Sequence, residues 1–516
     1  MRCTYKFLPD ECWWGGTVIH GDKMPFTAET ELSWDMNSMN PYGIVNQTMP
    51  LLLSNKGRYI WSDTPFAYEF SKGTLTVEGE QFSMSEAGET LRDSYLHAME
   101  HHFPFDGKAL PELFFETAQY NGWMQFMYEP TQEGVLNYAR GIVEHGFAPG
   151  ILMIDEGWQK EYGTWIFDPL KFPDPAAMTR ELHEMGFKVM LWITPYVNAC
   201  GFQSRYYTWI HPDHDQLFLR TTTGEIAIIE WWNGVSMCLD FTKECDRRFL
   251  DEQLQALMRD YGIDGFKFDG CSVSRYRAVI NGEPSAESTA VERNNAWIDF
   301  GRKYAFHEYK DSYKQGGKNM IQRLADKRSV WKGNGIDMVI PSSLVQGLLG
   351  TPFICPDMIG GGEWKTFKYD LNSRMDQELF VRMAQCSVFM PMMQFSLAPW
   401  ECLDEKHLAI CLEMAKLHAK LAPEILQLVR QSETSGEPIV RHLEYNFPNS
   451  GFAGCNDCFM LGDHYLVAPV TVKGQVTRTL TLPQGKWKYV DGTVYGGGKV
   501  TVDAPLEVLP YFERLA

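Results

Sequence analysis

The rhythm of hydrophobic positions changes twice along this 516-residue chain. Over roughly the first 110 residues, short runs alternate apolar and polar positions between turns rich in Gly, Ser and Thr. Gly57-Arg-Tyr-Ile-Trp-Ser and Gly73-Thr-Leu-Thr-Val-Glu are examples. A period of two sets one face of each run against a core, which predicts antiparallel strands. From about residue 113, continuous apolar runs alternate with helical periodicity, the pattern of repeated β/α units. The runs predict strands over 118–127, 150–155, 188–194, 265–269, 319–326, 337–341, 352–356 and 387–394. Helices are predicted over 134–145, 175–185, 247–261, 291–309 and 375–386. Eight strands in order predict an α/β architecture, a closed (β/α)8 TIM barrel of about 250 residues.

The stretch 198–242 is too long for a plain loop and is read as an excursion over the barrel mouth. After a long helical stretch at 405–430, alternation returns at 465–470, 477–482 and 487–490. The expected organisation is an N-terminal β-rich, sandwich-like domain (1–112), the barrel (113–432) and a C-terminal β-sandwich (433–516).

Charge and composition narrow the choice of partner. A formal net charge of −19 and a pI near 5.2 argue against nucleic acid and anionic membrane surfaces. No apolar run is long enough for a membrane span, and residues 1–12 lack the apolar segment of a signal peptide. The 12 cysteines are scattered, many in apolar segments such as Cys271, Cys355 and Cys386, which fits reduced thiols and a cytoplasmic location. Cys455 and Cys458 form one Cys-x-x-Cys pair with no second pair or histidines beside it, so no metal is expected from sequence. Aromatic residues reach 14%, with 16 Trp and 23 Tyr, which suits stacking on sugar rings or other flat ligands as well as core packing. No cofactor is expected: there is no phosphate-binding loop, dinucleotide fingerprint or His-Glu-x-x-His spacing. Exposed sandwich surfaces leave a homo-oligomer open.

The candidate chemistry sits where the predicted barrel strands end. The segment 262–270 reads Gly-Ile-Asp-Gly-Phe-Lys-Phe-Asp-Gly, a short strand with Lys267 and Asp269 on one side. Such strand ends carry catalytic groups in barrels, although Asp269 could instead cap the next helix. Other predicted strands end in Asp155-Glu156-Gly-Trp158, Trp192-Ile-Thr-Pro-Tyr, Arg323-Leu-Ala-Asp326, Asp357 and Gln394. Several carboxylates, an Arg and several Trp, without a His cluster, suit glycoside chemistry. There, one carboxylate attacks the anomeric carbon and another moves the proton.

Five segments resemble glycoside hydrolase family 31, the retaining α-glycosidases, and most closely its α-galactosidase and myogenesis-regulating glycosidase branch. They are Ile154-Asp-Glu-Gly-Trp with Asp168-Pro-x-Lys-Phe-Pro, Trp231-Trp-Asn-Gly with Leu239-Asp-Phe-Thr, Phe266-Lys-Phe-Asp, Pro352-Phe-Ile-Cys-Pro-Asp-Met-Ile-Gly-Gly, and Phe459-Met-Leu-Gly-Asp-His-Tyr-Leu-Val-Ala-Pro-Val. The resemblance covers roughly residues 115–475.

It implies Asp269 as nucleophile and Asp326, on the next strand, as acid/base. A competing alignment, through Trp331-Lys-Gly-Asn334, would put an Asn where the acid belongs. The family often has a sugar-binding Arg upstream of the acid, and Lys310 stands nearest that place. The expected substrate is a terminal, non-reducing α-linked galactoside within an oligosaccharide or glycoside, with α-N-acetylgalactosaminide and α-glucoside as alternatives. A catalytically silent carbohydrate-binding homologue is the reading from another class. Asp155 and Glu156 are expected to face sugar hydroxyls, and Trp158, Trp192 and Trp232 to wall the pocket. Lys267 is expected to keep Asp269 ionised. Arg323, Asp357 and Gln394 complete the substrate-binding set, and Asp240 is expected to be structural.

Overall fold

The computed structural model describes residues 1–37, 47–363 and 375–515. They divide into two compact units. One is drawn from residues 47–118 and 314–515 together with the first 37, and the other spans 119–313.

The unit spanning 119–313 is built on five parallel strands in the order Gln119–Asn121, Ile151–Ile154, Lys188–Ile193, Gly265–Phe268 and Phe306–Tyr309. All but the edge residues Lys188 and Phe306 are buried, as expected of strands covered on both faces. Helices Gln132–Glu144, Pro175–Glu184, Glu244–Tyr261 and Ala290–Gly301 connect them. Their starts are set by side-chain caps: Thr131 accepts from Gly134 N, Asp174 from Ala177 N, and Thr289 forms a capping box with Glu292. Glu244–Tyr261 stops at Gly262, whose φ of 71° is the left-handed conformation that a side chain disfavours.

The excursion is a three-stranded antiparallel sheet, in the order Tyr196–Asn198, Gly234–Cys238, Ile228–Trp231, with helix Phe202–Trp209 beside it. Trp231 pairs with Gly234, so Trp232 and Asn233 form a two-residue hairpin turn.

In the other unit, the N-terminal part carries two antiparallel sheets. The first has the order Arg2–Lys6, Thr74–Gly79, Phe66–Ser71, Leu32–Asp35. The second includes Trp13–Thr17, Gln47–Ser54, Arg58–Trp61 and Ser83–Glu86. Trp13, Phe26, Leu51, Leu53, Tyr68 and Phe70 fill their core, with the Phe26 and Phe70 rings stacked at 4.5 Å.

The same unit holds two short parallel strand pairs, Ile321–Arg323 with Ile354–Cys355 and Met358–Ile359 with Gln394–Phe395. Its C-terminal part has a six-stranded antiparallel sheet and a two-stranded one, Thr477–Leu482 with Gly498–Asp503. These enclose a core around Trp487, Leu466 and Phe512.

Four expectations need correction, the last predicted strand among them: of 387–394 only Gln394 lies in a strand, Gln394–Phe395, and Ser387 ends helix Gln377–Ser387. The segment 337–341 is no strand: a short 3-10 turn, Ile336–Met338, leads into helix Val339–Leu348. All ten residues of that helix are buried, and a continuous apolar run cannot by itself tell a buried strand from a buried helix. The fifth barrel strand is instead Phe306–Tyr309, because the preceding helix stops at Gly301. Asp326 therefore follows strand Ile321–Arg323 and not the one next to Asp269. The first strand is also shorter than expected. After Asn121 the chain turns into helix Trp123–Phe126, and the Asn121 side chain accepts from Trp123 N at 2.9 Å.

Gly265 opens the fourth strand where a Cβ would collide with the backbone carbonyl of Phe306 on the fifth. Gly265→Ala is expected to cost about 3 kcal/mol or more by urea denaturation, through strand separation or strain. Gly107→Ala, with nothing near its Cβ position but a φ of +70°, should cost about 1–2 kcal/mol. Equal midpoints for the two variants would contradict this.

Candidate active site

Parallel pairing sets the ends of the first five barrel strands side by side. Phe268 pairs with Ile193 and Tyr309, so Asp269 and Lys310 each stand one residue past the last paired position. The Asp269 carboxylate is buried and fully engaged. Oδ1 accepts from Gly270 N at 2.8 Å and Oδ2 from the indole N–H of Trp192 at 3.0 Å. Lys310 Nζ lies 3.8 Å from Oδ2. Burial pushes this carboxyl up, but Lys310, Lys267 and the two donors outweigh it and hold the group below the ordinary carboxylate range.

Lys267 does contribute to keeping Asp269 charged, but it ranks behind Lys310. Its ammonium lies 2.7 Å from Asp155 Oδ2, in an ion pair with both side chains buried. Asp155 Oδ1 also accepts from Glu156 N at 2.9 Å. A buried pair of this kind is costly to break, since either partner alone would be an uncompensated charge.

Glu156 is held by the excursion. Tyr162 OH donates to Oε1 at 2.7 Å, Asn233 Nδ2 donates to the same oxygen, and Trp232 Nε1 donates to Oε2 at 3.2 Å. The hairpin turn thus brings its two tip residues to one carboxylate. Burial, with Asp155 and Asp269 nearby, pushes the Glu156 carboxyl up to about 8 against the pull of the Tyr162 and Trp232 hydrogen bonds.

The three tryptophans differ. Trp158 has no exposed surface, donates to Trp192 O at 2.7 Å and packs on Phe167. Trp192 is also buried and meets the site through its N–H. Trp232 is 43% exposed, with the Arg275 guanidinium over its ring at 5.7 Å. Asp240 accepts from Thr242 N and Oγ1 and lies 3.6 Å from Arg293, a turn-holding arrangement.

A second polar cluster lies in the other unit. Arg323 ends its strand with Nη1 at 2.9 Å from Asp326 Oδ1 and 2.5 Å from Asp357 Oδ1. Arg323 and Asp357 are buried, whereas the Asp326 side chain is 27% exposed. Asp357 also accepts from Lys327 N at 2.6 Å, and its φ of 120° is a strained conformation for a residue with a Cβ. Burial raises the Asp357 carboxyl. Burial lowers Lys327 to about 8, against the opposing charges of Asp357 and Asp326. Gly362 is tight against the cluster: a Cβ there would lie 3.1 Å from an oxygen of both Asp326 and Asp357. Asn334 donates from its side chain to Asp326 O at 3.1 Å, which makes it a support for that loop. Gln394 is buried at the start of its short strand.

Sequence reading did not foresee Tyr162 and Asn233 as partners of Glu156. Only the six-residue spacing to Tyr162 offers a local signal.

Comparison with known proteins then identifies the class. The glycosyl hydrolase family 31 TIM-barrel domain matches residues 115–428, and the family's C-terminal domain matches residues 436–515. The chain belongs to glycoside hydrolase family 31. It is 34% identical over 386 residues to the myogenesis-regulating glycosidase of Mus musculus, covering 73% of this chain and 53% of that one. It is 26% identical over 421 residues to alpha-glucosidase 2 of Bacillus thermoamyloliquefaciens, covering 75% and 51%. The chain thus spans about half the length of these curated relatives. In fold it is similar to a Flavobacterium johnsoniae family 31 dextranase complexed with isomaltotriose. The TM-score is 0.82 at 21% identity, over 99% of this chain and 66% of that one. The fold class expected from sequence is therefore found, as is the family branch.

The raised Glu156 carboxyl makes a stability prediction. Folded protein keeps a proton that unfolded chain releases, so this contribution is fullest below about pH 4.5 and is lost as pH rises toward about 8. The urea midpoint of the natural protein should fall more steeply across that window than that of Glu156→Gln. Parallel curves would contradict the assignment.

Proposed function

We propose that the protein is a retaining α-glycoside hydrolase acting on a terminal non-reducing α-linked sugar, an α-galactoside first. The observation that carries this reading is the buried, ionised Asp269 at the end of the fourth barrel strand. Asp269 attacks the anomeric carbon while Asp326 protonates the departing oxygen. Water then hydrolyses the glycosyl-aspartate, with Asp326 as base. A retaining mechanism asks for carboxyl groups about 5–5.5 Å apart.

Asp326 suits its role as the least buried member of its cluster, and the charge of Arg323 beside it is shared with Asp357. Asp155 and Trp232 read as sugar contacts, with Glu156 behind Trp232. The galactoside reading rests on the sequence resemblance to the family's α-galactosidase branch; the relative's name, myogenesis-regulating glycosidase, specifies no sugar. An α-glucoside is the second reading, favoured by the relative named alpha-glucosidase 2. A cytoplasmic location fits the cysteines, among which no disulfide is formed in the described residues. No helix among those residues is long and apolar enough to cross a membrane.

Purified protein is expected to release nitrophenol from the galactose member of a panel of p-nitrophenyl α-glycosides (galactose, N-acetylgalactosamine, glucose, xylose). Asp269→Ala should lose activity by a factor on the order of 10⁴. Release from glucose alone would move the reading to an α-glucosidase. No release from any member would favour the catalytically silent homologue.

Lys310 gives a sharper test. Removing its charge raises the Asp269 carboxyl, so the ionised nucleophile is lost at higher pH. The acidic limb of kcat/KM in Lys310→Met should move to higher pH, and Lys310→Arg should leave it in place. An unmoved limb in Lys310→Met would remove Lys310 from this role.

A further inference from the structure

The C-terminal domain carries a cluster that the glycosidase reading does not use. Cys455, Asp457 and Cys458 lie in the turn that leads into strand Phe459–Leu461. The two sulfurs and a carboxylate oxygen all lie within 4.8 Å of one another. Cys458 is buried against the domain core, Cys455 is half-buried and Asp457 is exposed. We propose that these three side chains bind one thiophilic divalent cation of the zinc class.

Three observations support this. The first is spacing. Cys-x-x-Cys lets two thiolates grip one ion from a single turn, and sequence alone offered no further ligand; the fold provides Asp457. The second is size. Metal–sulfur bonds of about 2.3 Å and metal–oxygen bonds of about 2.0–2.2 Å in tetrahedral geometry set the ligand atoms about 3.5–3.8 Å apart. Cys455 Sγ already lies 3.9 Å from Asp457 Oδ1. The third is orientation. Arg478, on strand Thr477–Leu482, holds Asp457 Oδ2 at 2.6 Å and donates to the Asp457 carbonyl at 3.1 Å. That leaves Oδ1 as the oxygen turned toward Cys455, with a cation fixing the carboxylate from behind, as outer partners do at metal centres.

As the ion binds, two sulfur–metal bonds form and two thiol protons leave to solvent. The exposed side of Asp457 leaves the fourth position to water.

The test uses the full chain, reduced with a phosphine, stripped with a chelator and titrated with Co²⁺. The expected result is a thiolate-to-cobalt charge-transfer band that saturates at one ion per chain and is bleached by Zn²⁺. Cys455→Ser, at the half-buried position, should abolish the band while leaving the thermal melt of the metal-free protein in place. Asp457→Asn should weaken binding at least about tenfold. The proposal is overturned if no band forms at stoichiometric metal, or if Cys455→Ser leaves the band intact. It is equally overturned if intact mass before reduction shows two hydrogens fewer, lost in Cys455→Ser, which would make the pair a disulfide.

Discussion

A carboxylate that stays charged while shut away from water is the constraint on which the 119–313 unit depends. Asp269 has a depressed pKa because two lysines, an indole N–H and a backbone N–H together outweigh its burial. Trp192 and Lys310 come from the strands on either side, and parallel pairing sets them beside Asp269. The strands must therefore stay in register to within one residue, because a one-residue slip would turn Lys267 and Asp269 to the other face. Even the absence of a side chain at Gly265 serves this, since it lets the fourth and fifth strands approach.

Much of the fold was legible because buried parallel strands are apolar runs that end in polar residues. The strands ending before Asp155 and Asp269 announce themselves in this way. Phe306–Tyr309 does not, because its central residues, His307 and Glu308, are polar and buried. Helix Val339–Leu348 fails in the opposite sense: it is buried all round, Ser342, Ser343 and Gln346 included, so its sequence shows no solvent face.

At the candidate site, sequence could give strand ends but not pairings. Lys267 sits two residues from Asp269, and proximity in sequence made it the obvious counter-ion. In the fold its ammonium turns to Asp155, and Lys310, from a strand that the pattern concealed, takes the place closest to Asp269. Trp158 and Trp192 looked alike as wall residues. Yet one is packed wholly inside, and the other contributes an N–H and no exposed face. Glu156 meets partners more than seventy residues away, at a distance where periodicity carries no information.

The hairpin that delivers Trp232 and Asn233 to Glu156 has a wider meaning. A loop inserted between barrel strands is usually free to drift, since the scaffold folds without consulting it. Here the tip of the insertion completes the hydrogen bonding of a buried scaffold carboxylate. Lengthening the two-residue turn, or grafting a relative's excursion in its place, would leave Glu156 with fewer donors. Excursion and second strand are thus bound to change together, and variation in the one is confined to forms that still reach the other.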